Sequence, residues 1–262
     1  MAIIFSDIDG TLINKDLVVT PRTRKALVRA IEQGHIFVPV SARMPEAIKP
    51  LLADFLPHTP IISYNGALIQ DEKGRVIDSQ AMPVSDALSL CHYLEEQSPE
   101  VAWNIYSGSY WFSQDRKNYW ISREERVVGL NSEEIPLEKI SELPEVHKLL
   151  LMGEPEVIET LENELKVRYP QLSIARSLPY YIEVMASGIE KGRAVSLFAE
   201  SYGVALSDTI AFGDNFNDLD MLKVVGKGYV MANGPKEVQK AIGTVTSDHN
   251  HDGIAEVLEM WV

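Results

Sequence analysis

The chain has 262 residues, a length that fits one large domain or a core with a second, smaller one. Hydrophobic residues make up 45% and charged residues 24%, which excludes intrinsic disorder as a global description. With 38 Asp and Glu against 24 Lys and Arg the formal net charge is -14, so neither nucleic acid nor an anionic membrane is an expected partner. An anionic small molecule could still bind, but only at a local site with its own cation. Cys91 is the only cysteine, which excludes an intrachain disulfide and a cysteine-rich metal site. No apolar run approaches the roughly 18 residues of a membrane span. The apolar start reaches Asp7 too soon for a signal peptide, and the expected setting is the cytoplasm.

In chain order, Ala2-Ile3-Ile4-Phe5 is a short apolar run that ends in Ser6, Asp7, Ile8, Asp9 and Gly10. That pattern predicts a buried strand feeding a polar loop. Thr20 and Pro21 predict the cap and first turn of a helix with Ala26, Leu27, Ala30 and Ile31 on one face. Residues 36–40 predict a second strand, 45–55 a second helix and 61–63 a third strand, the alternation of a parallel α/β sheet. From about Pro83 to Ser187 the pattern changes, and this stretch holds Trp103, Trp111 and Trp120. Here 103–106, 110–113 and 181–185 predict strands, 156–168 predicts a helix, and Ser107-Gly108 suggests a hairpin. Cys91 shares an apolar helical face with Ala87, Leu88 and Leu94 and reads as core. The stretch has the character of an α+β insertion. Afterwards the first grammar returns, with helices at 191–202, 218–225, 235–242 and 253–260 and strands at 209–212 and 229–231.

Two motifs carry the chemistry. Asp7-Ile8-Asp9-Gly10-Thr11 places two carboxylates at i and i+2 on a strand's carboxyl end, where open α/β sheets bind ligands. Side by side they repel, and a hard divalent cation with oxygen ligands, Mg²⁺ above all, relieves that repulsion. The competing reading is an acidic turn. Gly213-Asp214-Asn215-Phe216-Asn217-Asp218 repeats the arrangement after a second apolar strand. Asn217 and Asp218 are expected in the first turn of the next helix, whose free N–H groups favour anions, although helix capping alone would also explain them. Ser41 at a strand end could offer its hydroxyl to a phosphate oxygen. Lys191 at a helix start reads on its own as a solvated surface charge, but the helix dipole opposes a cation there, which favours a fixed partner such as an aspartate or a phosphate. Asp248-His249-Asn250-His251-Asp252 could suggest a metal cluster but reads as a solvated loop.

Together these pieces resemble the haloacid dehalogenase superfamily of phosphotransferases. Its signature is an aspartate pair, a Ser or Thr, a Lys and a late acidic motif, here Asp7 and Asp9, Ser41, Lys191, and Asp214 with Asp218. Val40-Ser41-Ala42-Arg43, Asn65-Gly66-Ala67 and Gly188-Ile189-Glu190-Lys191-Gly192 look like the Cof-type branch, as does the run from Gly213 to Met221. Ser41-Ala42-Arg43 stands where members often have Thr-Gly-Arg, and Glu190-Lys191-Gly192 where they have Asp-Lys-Gly. Both keep the reacting groups. The resemblance implies an α/β fold, with a parallel-sheet, Rossmann-like core and helices on both faces, and an inserted α+β cap. The core would be residues 1–82 and 188–262 and the cap 83–187. It further implies a Mg²⁺-dependent phosphatase of small phosphorylated metabolites, with Asp7 as nucleophile and Asp9 as general acid and base. Mg²⁺ would be held by Asp7, the backbone carbonyl of Asp9, and Asp214. Ser41, Lys191 and Asn217 would hold the phosphoryl oxygens, Asp218 would orient Lys191 or a metal-bound water, and Arg43 and Asn65 would meet the substrate. The alternatives are a phosphomutase or phosphotransferase, and a non-catalytic binder of phosphometabolites on the same scaffold.

Overall fold

The structure, a computed structural model, describes residues 1–261. The chain forms two compact units, one of residues 1–79 together with the segment from Glu190 onward, the other of residues 80–189. In the first unit β1 (Ile3–Ser6) is buried along its whole length. Ile3, Ile4 and Phe5 expose no surface, each contributing about 1.5–3 kcal/mol by burial. α1 (Pro21–Glu32) starts as its sequence dictates, with Thr20 Oγ1 accepting the Thr23 N–H and Pro21 where no N–H partner is needed. β2 (Ile36–Pro39) and α2 (Pro45–Leu52) follow. α2 ends three residues before the expected 55, with Pro50 already inside it. Next come β3 (Ile61–Ser63), β4 (Leu68–Gln70) and β5 (Val76–Ser79), and here the expectation needs correction. β3 is not a strand of the parallel sheet but pairs antiparallel with β4, and β4 with β5. Its tie to the parallel order is a single bridge, Val40 to Ile62. The cause is local: Tyr64, Asn65 and Gly66 all have positive φ and fold the chain straight back on itself.

The second unit contains α3 (Val84–Gln97), β6 (Ala102–Ser107), β7 (Tyr110–Ser113), α4 (Tyr119–Val128) and β8 (Glu133–Glu134). It continues with β9 (Lys148–Met152), α5 (Pro155–Arg168), β10 (Leu172–Leu178) and β11 (Tyr181–Ala186). The strands form one sheet in the order β10-β11-β9-β6-β7-β8, antiparallel except for β7 with β8. β6 and β7 close through the two residues Gly108-Ser109, with Ser107 paired to Tyr110. Alternate strand residues, Trp103, Ile105, Leu149, Leu151, Ile182 and Val184, share a core with Leu90, Cys91 and Leu94 of α3 and Ile158 and Leu161 of α5. The strand period of two then places Asn104, Tyr106, Lys148 and Glu183 on the opposite face.

The first unit resumes with α6 (Lys191–Ser201), β12 (Thr209–Gly213), α7 (Leu219–Val224), β13 (Lys227–Met231), α8 (Lys236–Ile242), β14 (Val245–Thr246) and α9 (Gly253–Trp261). Its parallel sheet runs β14-β13-β12-β1-β2. Ile4 and Phe212 pack with Leu27 of α1 and Leu258 of α9 on one face. Ile3 and Phe5 pack with Phe198 of α6, Met221 of α7 and Val238 of α8 on the other. Helices thus cover both faces, which is why the central strands are apolar without alternation. The carboxyl ends of β12, β1 and β2 lie side by side and are followed by Asp214, Asp7 and Ser41. One more expectation shifts: Asn217 and Asp218 lie in a short 3-10 turn, Phe216–Asp218, ahead of α7. Asn215 and Asp218 cap that turn reciprocally, which delays the helix. Among the described residues no helix is long and apolar enough to cross a membrane.

Candidate active site

β1 delivers Asp7 to the sheet edge, and its N–H donates to the Phe212 carbonyl of β12 at 2.9 Å, which fixes it beside the neighbouring strand. Lys191, first residue of α6, is almost completely buried and donates from Nζ to Asp7 Oδ1 at 2.6 Å and Asp218 Oδ1 at 2.7 Å. The partner inferred for a cation at a helix start is therefore a pair of aspartates. Asp218 exposes no surface, and its other oxygen accepts the N–H groups of Asp214 at 2.9 Å and Asn215 at 3.0 Å. A buried carboxylate with three donors is a pillar that holds both Lys191 and the loop carrying Asp214. Asp214 is partly exposed and accepts the Thr11 hydroxyl on Oδ1 at 2.9 Å. Gly10 has a φ of 81°, and a Cβ there would fall 2.6 Å from Asp214 Oδ2, so the turn and the close approach both require glycine.

Carboxylate oxygens of Asp7, Asp214 and Asp218 lie within 4.8 Å of one another, with Lys191 the ammonium between Asp7 and Asp218. Burial pushes the Asp7 carboxyl up to about 7, Lys191 pulls against it, and Asp218 and Asp214 add repulsion. Burial likewise raises Asp214, opposed by the Thr11 hydrogen bond. Burial alone would lower the Lys191 ammonium, but Asp7 and Asp218 outweigh it and hold the proton firmly. The site carries more negative charge than Lys191 balances. Oxygen donors on a partly open carboxylate pair are the chemistry that a hard divalent cation such as Mg²⁺ takes, so the residues present fit it.

Asp7, Lys191, Asp214 and Asp218 are brought together. Ser41 is buried just after β2, where its hydroxyl accepts the Arg43 N–H at 3.2 Å and its carbonyl accepts the Asn65 N–H at 2.8 Å. Asn217 is exposed in the turn after β12, so Ser41 and Asn217 follow the strands on either side of β1. Asp9 points its carboxylate elsewhere: it is exposed and takes both hydrogen bonds of Arg43, from Nε at 2.8 Å and Nη2 at 2.6 Å. The Oδ1 of Asn65 is buried without a hydrogen-bond partner. Thr11 and Asn233, both joined to Asp214, escaped the sequence reading. Thr11 sits inside the first motif, whereas Asn233 carries no signal beyond an Asn-Gly turn after a strand. The 248–252 segment is a partly exposed turn ahead of α9, as expected, and it is anchored: His249 Nδ1 hydrogen-bonds the Ile13 carbonyl at 2.9 Å and Asp252 accepts from Thr20.

A family model for haloacid dehalogenase-like hydrolases matches residues 4–258. The chain belongs to that family. Membership makes it an enzyme of the hydrolase class, in line with the reading as a phosphoric monoester hydrolase of the Cof-type branch. A Haemophilus influenzae protein named "Putative phosphatase" is 36% identical, covering 98% of this chain and 96% of its own length. The 5-amino-6-(5-phospho-D-ribitylamino)uracil phosphatase YwtE of Bacillus subtilis is 26% identical over 99% of this chain and 97% of its own. The crystal structure of a haloacid dehalogenase-like hydrolase from Bacteroides thetaiotaomicron superposes with a TM-score of 0.91. That protein is 27% identical, and the match covers 100% of this chain and 99% of that one.

Proposed function

We propose that this hydrolase is a Mg²⁺-dependent phosphomonoesterase of small phosphorylated metabolites that works through an aspartyl-phosphate on Asp7. The observation that carries the reading is the Lys191 ammonium, buried and within 2.6 Å of Asp7 and 2.7 Å of Asp218. A carboxylate held against one cation and short of another is arranged to receive a phosphoryl group, not to fill a core. Asp7 Oδ attacks phosphorus in line with the leaving oxygen, and the P–O bond to the alcohol breaks as the Asp7–phosphorus bond forms. Ser41, Lys191 and Asn217 hold the non-bridging oxygens. Asp7, Asp214 and the Asp9 carbonyl would hold Mg²⁺, which when bound offsets the repulsion between nucleophile and phosphate. Asp9 gives the leaving oxygen a proton and then takes one from the water that hydrolyses the acyl phosphate. Its pair with Arg43 must open for this. Both side chains reach solvent, and such pairs are worth about 0–1 kcal/mol, so opening is inexpensive.

Residues 80–189 contribute none of these groups, and in this reading they act as the cap that reads the part of the substrate beyond the phosphate. Arg43 and Asn65 meet the substrate from the first unit. The B. subtilis relative's name makes a phosphorylated ribityl compound one member of the class to include, beside sugar phosphates, nucleotides, pyridoxal phosphate and flavin mononucleotide. The test is a panel of these esters assayed with Mg²⁺ and ranked by kcat/KM. Release of inorganic phosphate with a clear preference supports the reading. Transfer of the phosphoryl group to a second hydroxyl in place of water would make it a transferase, and binding without turnover would refute it.

A further inference from the structure

The loop carrying Asp214 is braced by a side chain from the loop after β13, the parallel neighbour of β12. After Met231 the chain turns through Ala232, Asn233 and Gly234 before α8. Asn233 Nδ2 donates to the Gly10 carbonyl at 2.9 Å and lies 3.4 Å from Asp214 Oδ2. Its Oδ1 accepts the His249 N–H at 3.2 Å, and the His249 ring is in turn tied to the Ile13 carbonyl at 2.9 Å. One amide therefore joins the turn after Asp7, the carboxylate of Asp214 and the 248–252 segment. That segment is itself held: Asp248 accepts the Asn250 N–H at 2.8 Å and the His251 ring at 2.8 Å. Thr11 approaches Asp214 from Oδ1 and Asn233 from Oδ2, so both edges of this carboxylate are set. The approach is tight, since a Cβ on Gly234 would lie 2.3 Å from the Asp214 carbonyl oxygen.

We propose that Asn233, held by the His249 segment, is a positioning residue that aims Asp214 and the Gly10 turn at the cation. The inference rests on the cation-site reading above. A ligand carboxylate bonded by a fixed outer partner pays less ordering entropy when it binds metal, and removing such partners typically costs about 10–100-fold in metal affinity. Asn233 is exposed, so truncating it opens no core cavity and the fold is expected to survive.

The experiment is a calorimetric Mg²⁺ titration, without substrate, of the wild type, Asn233→Ala, Asn233→Ser and Asp214→Asn, beside urea unfolding in chelator. The expected result is Mg²⁺ binding by the wild type and its loss in Asp214→Asn. The Kd should rise at least about tenfold in both Asn233 variants, with their unfolding midpoints near the wild type. A purely structural Asn233 would lower the midpoint and leave the Kd alone. A Kd within about twofold of the wild type in either folded variant overturns the proposal while leaving the cation site intact. If Asp214→Asn binds Mg²⁺ as the wild type does, the cation-site reading fails and the role of Asn233 falls with it.

Discussion

Replacing Asp7 by Asn should make the protein more stable as it destroys activity. In the cation-free fold, burial raises the Asp7 carboxyl from its ordinary 3.8 to about 7. The folded chain thus holds a proton on Asp7 across a pH range in which the unfolded chain has lost it. That contribution to stability is complete below about 3.8 and is lost as pH rises through about 7. At about 1.36 kcal/mol per tenfold change, carrying Asp7 into the fold costs about 4 kcal/mol at pH 8, where it is ionised there, and about 2 kcal/mol at pH 5, where it must take up a proton. Asparagine keeps the shape without the charge, and Lys191 keeps Asp218 as its partner. The assay is urea unfolding in chelator at both pH values, with the wild type beside Asp7→Asn. The variant's advantage should grow by roughly 2–3 kcal/mol from pH 5 to pH 8. Added Mg²⁺ should stabilise the wild type and shrink the gap, while kcat of the variant falls by several orders of magnitude. Parallel pH profiles for the two proteins would refute the electrostatic picture of the site.

Other perturbations probe the same cluster. Lys191→Met leaves Asp7 and Asp218 buried without their ammonium and should cost about 3–5 kcal/mol in unfolding free energy at pH 8, along with phosphate affinity. A variant within about 1 kcal/mol of the wild type would show that the pairs hold nothing in place. Chelation should abolish hydrolysis of an aryl phosphate and added Mg²⁺ should restore it, whereas full turnover in excess chelator would contradict the site. Gly192→Ala would place a Cβ 2.8 Å from the Asp220 carbonyl carbon, beside the Gly192 N–H that donates to Asp220 Oδ2 at 2.7 Å. Such overpacking should cost about 1–3 kcal/mol and shift Lys191 with it, read as a lower thermal midpoint and a lower kcat, and no change in either would contradict the packing.

The parallel core was legible because buried strands and amphipathic helices each leave a period in the sequence. The convergence of Asp7, Lys191, Asp214 and Asp218 was legible because each follows a strand end or starts a helix, positions that topology brings together. β3 pairs in a hairpin, which its sequence does not show, because a three-residue apolar run looks the same in a parallel sheet and in a hairpin. What decides between them is the left-handed turn at Tyr64, Asn65 and Gly66, and only Gly66 announces such a turn in its residue type. β4, β5, β9 and β10 are equally silent in the sequence, since short runs show no period of their own. The bracing role of Asn233 and the His249 segment has no local signal because it lies in reaching Gly10 and Ile13 across more than two hundred residues of chain. No local pattern encodes that. The Asp9–Arg43 pair was likewise invisible, because both residues look equally available to substrate when read from sequence.

Covalent chemistry at Asp7 is the central claim, and a rapid-quench experiment tests it most directly. The enzyme would be mixed with excess 4-nitrophenyl phosphate and Mg²⁺, quenched in acid within a turnover, digested, and its peptides analysed by mass spectrometry. The account predicts a phosphoryl adduct on the peptide holding Asp7, removed by hydroxylamine and absent in Asp7→Asn. Turnover with the adduct on another residue, or an Asp7→Asn variant that kept a tenth of wild-type activity, would contradict it.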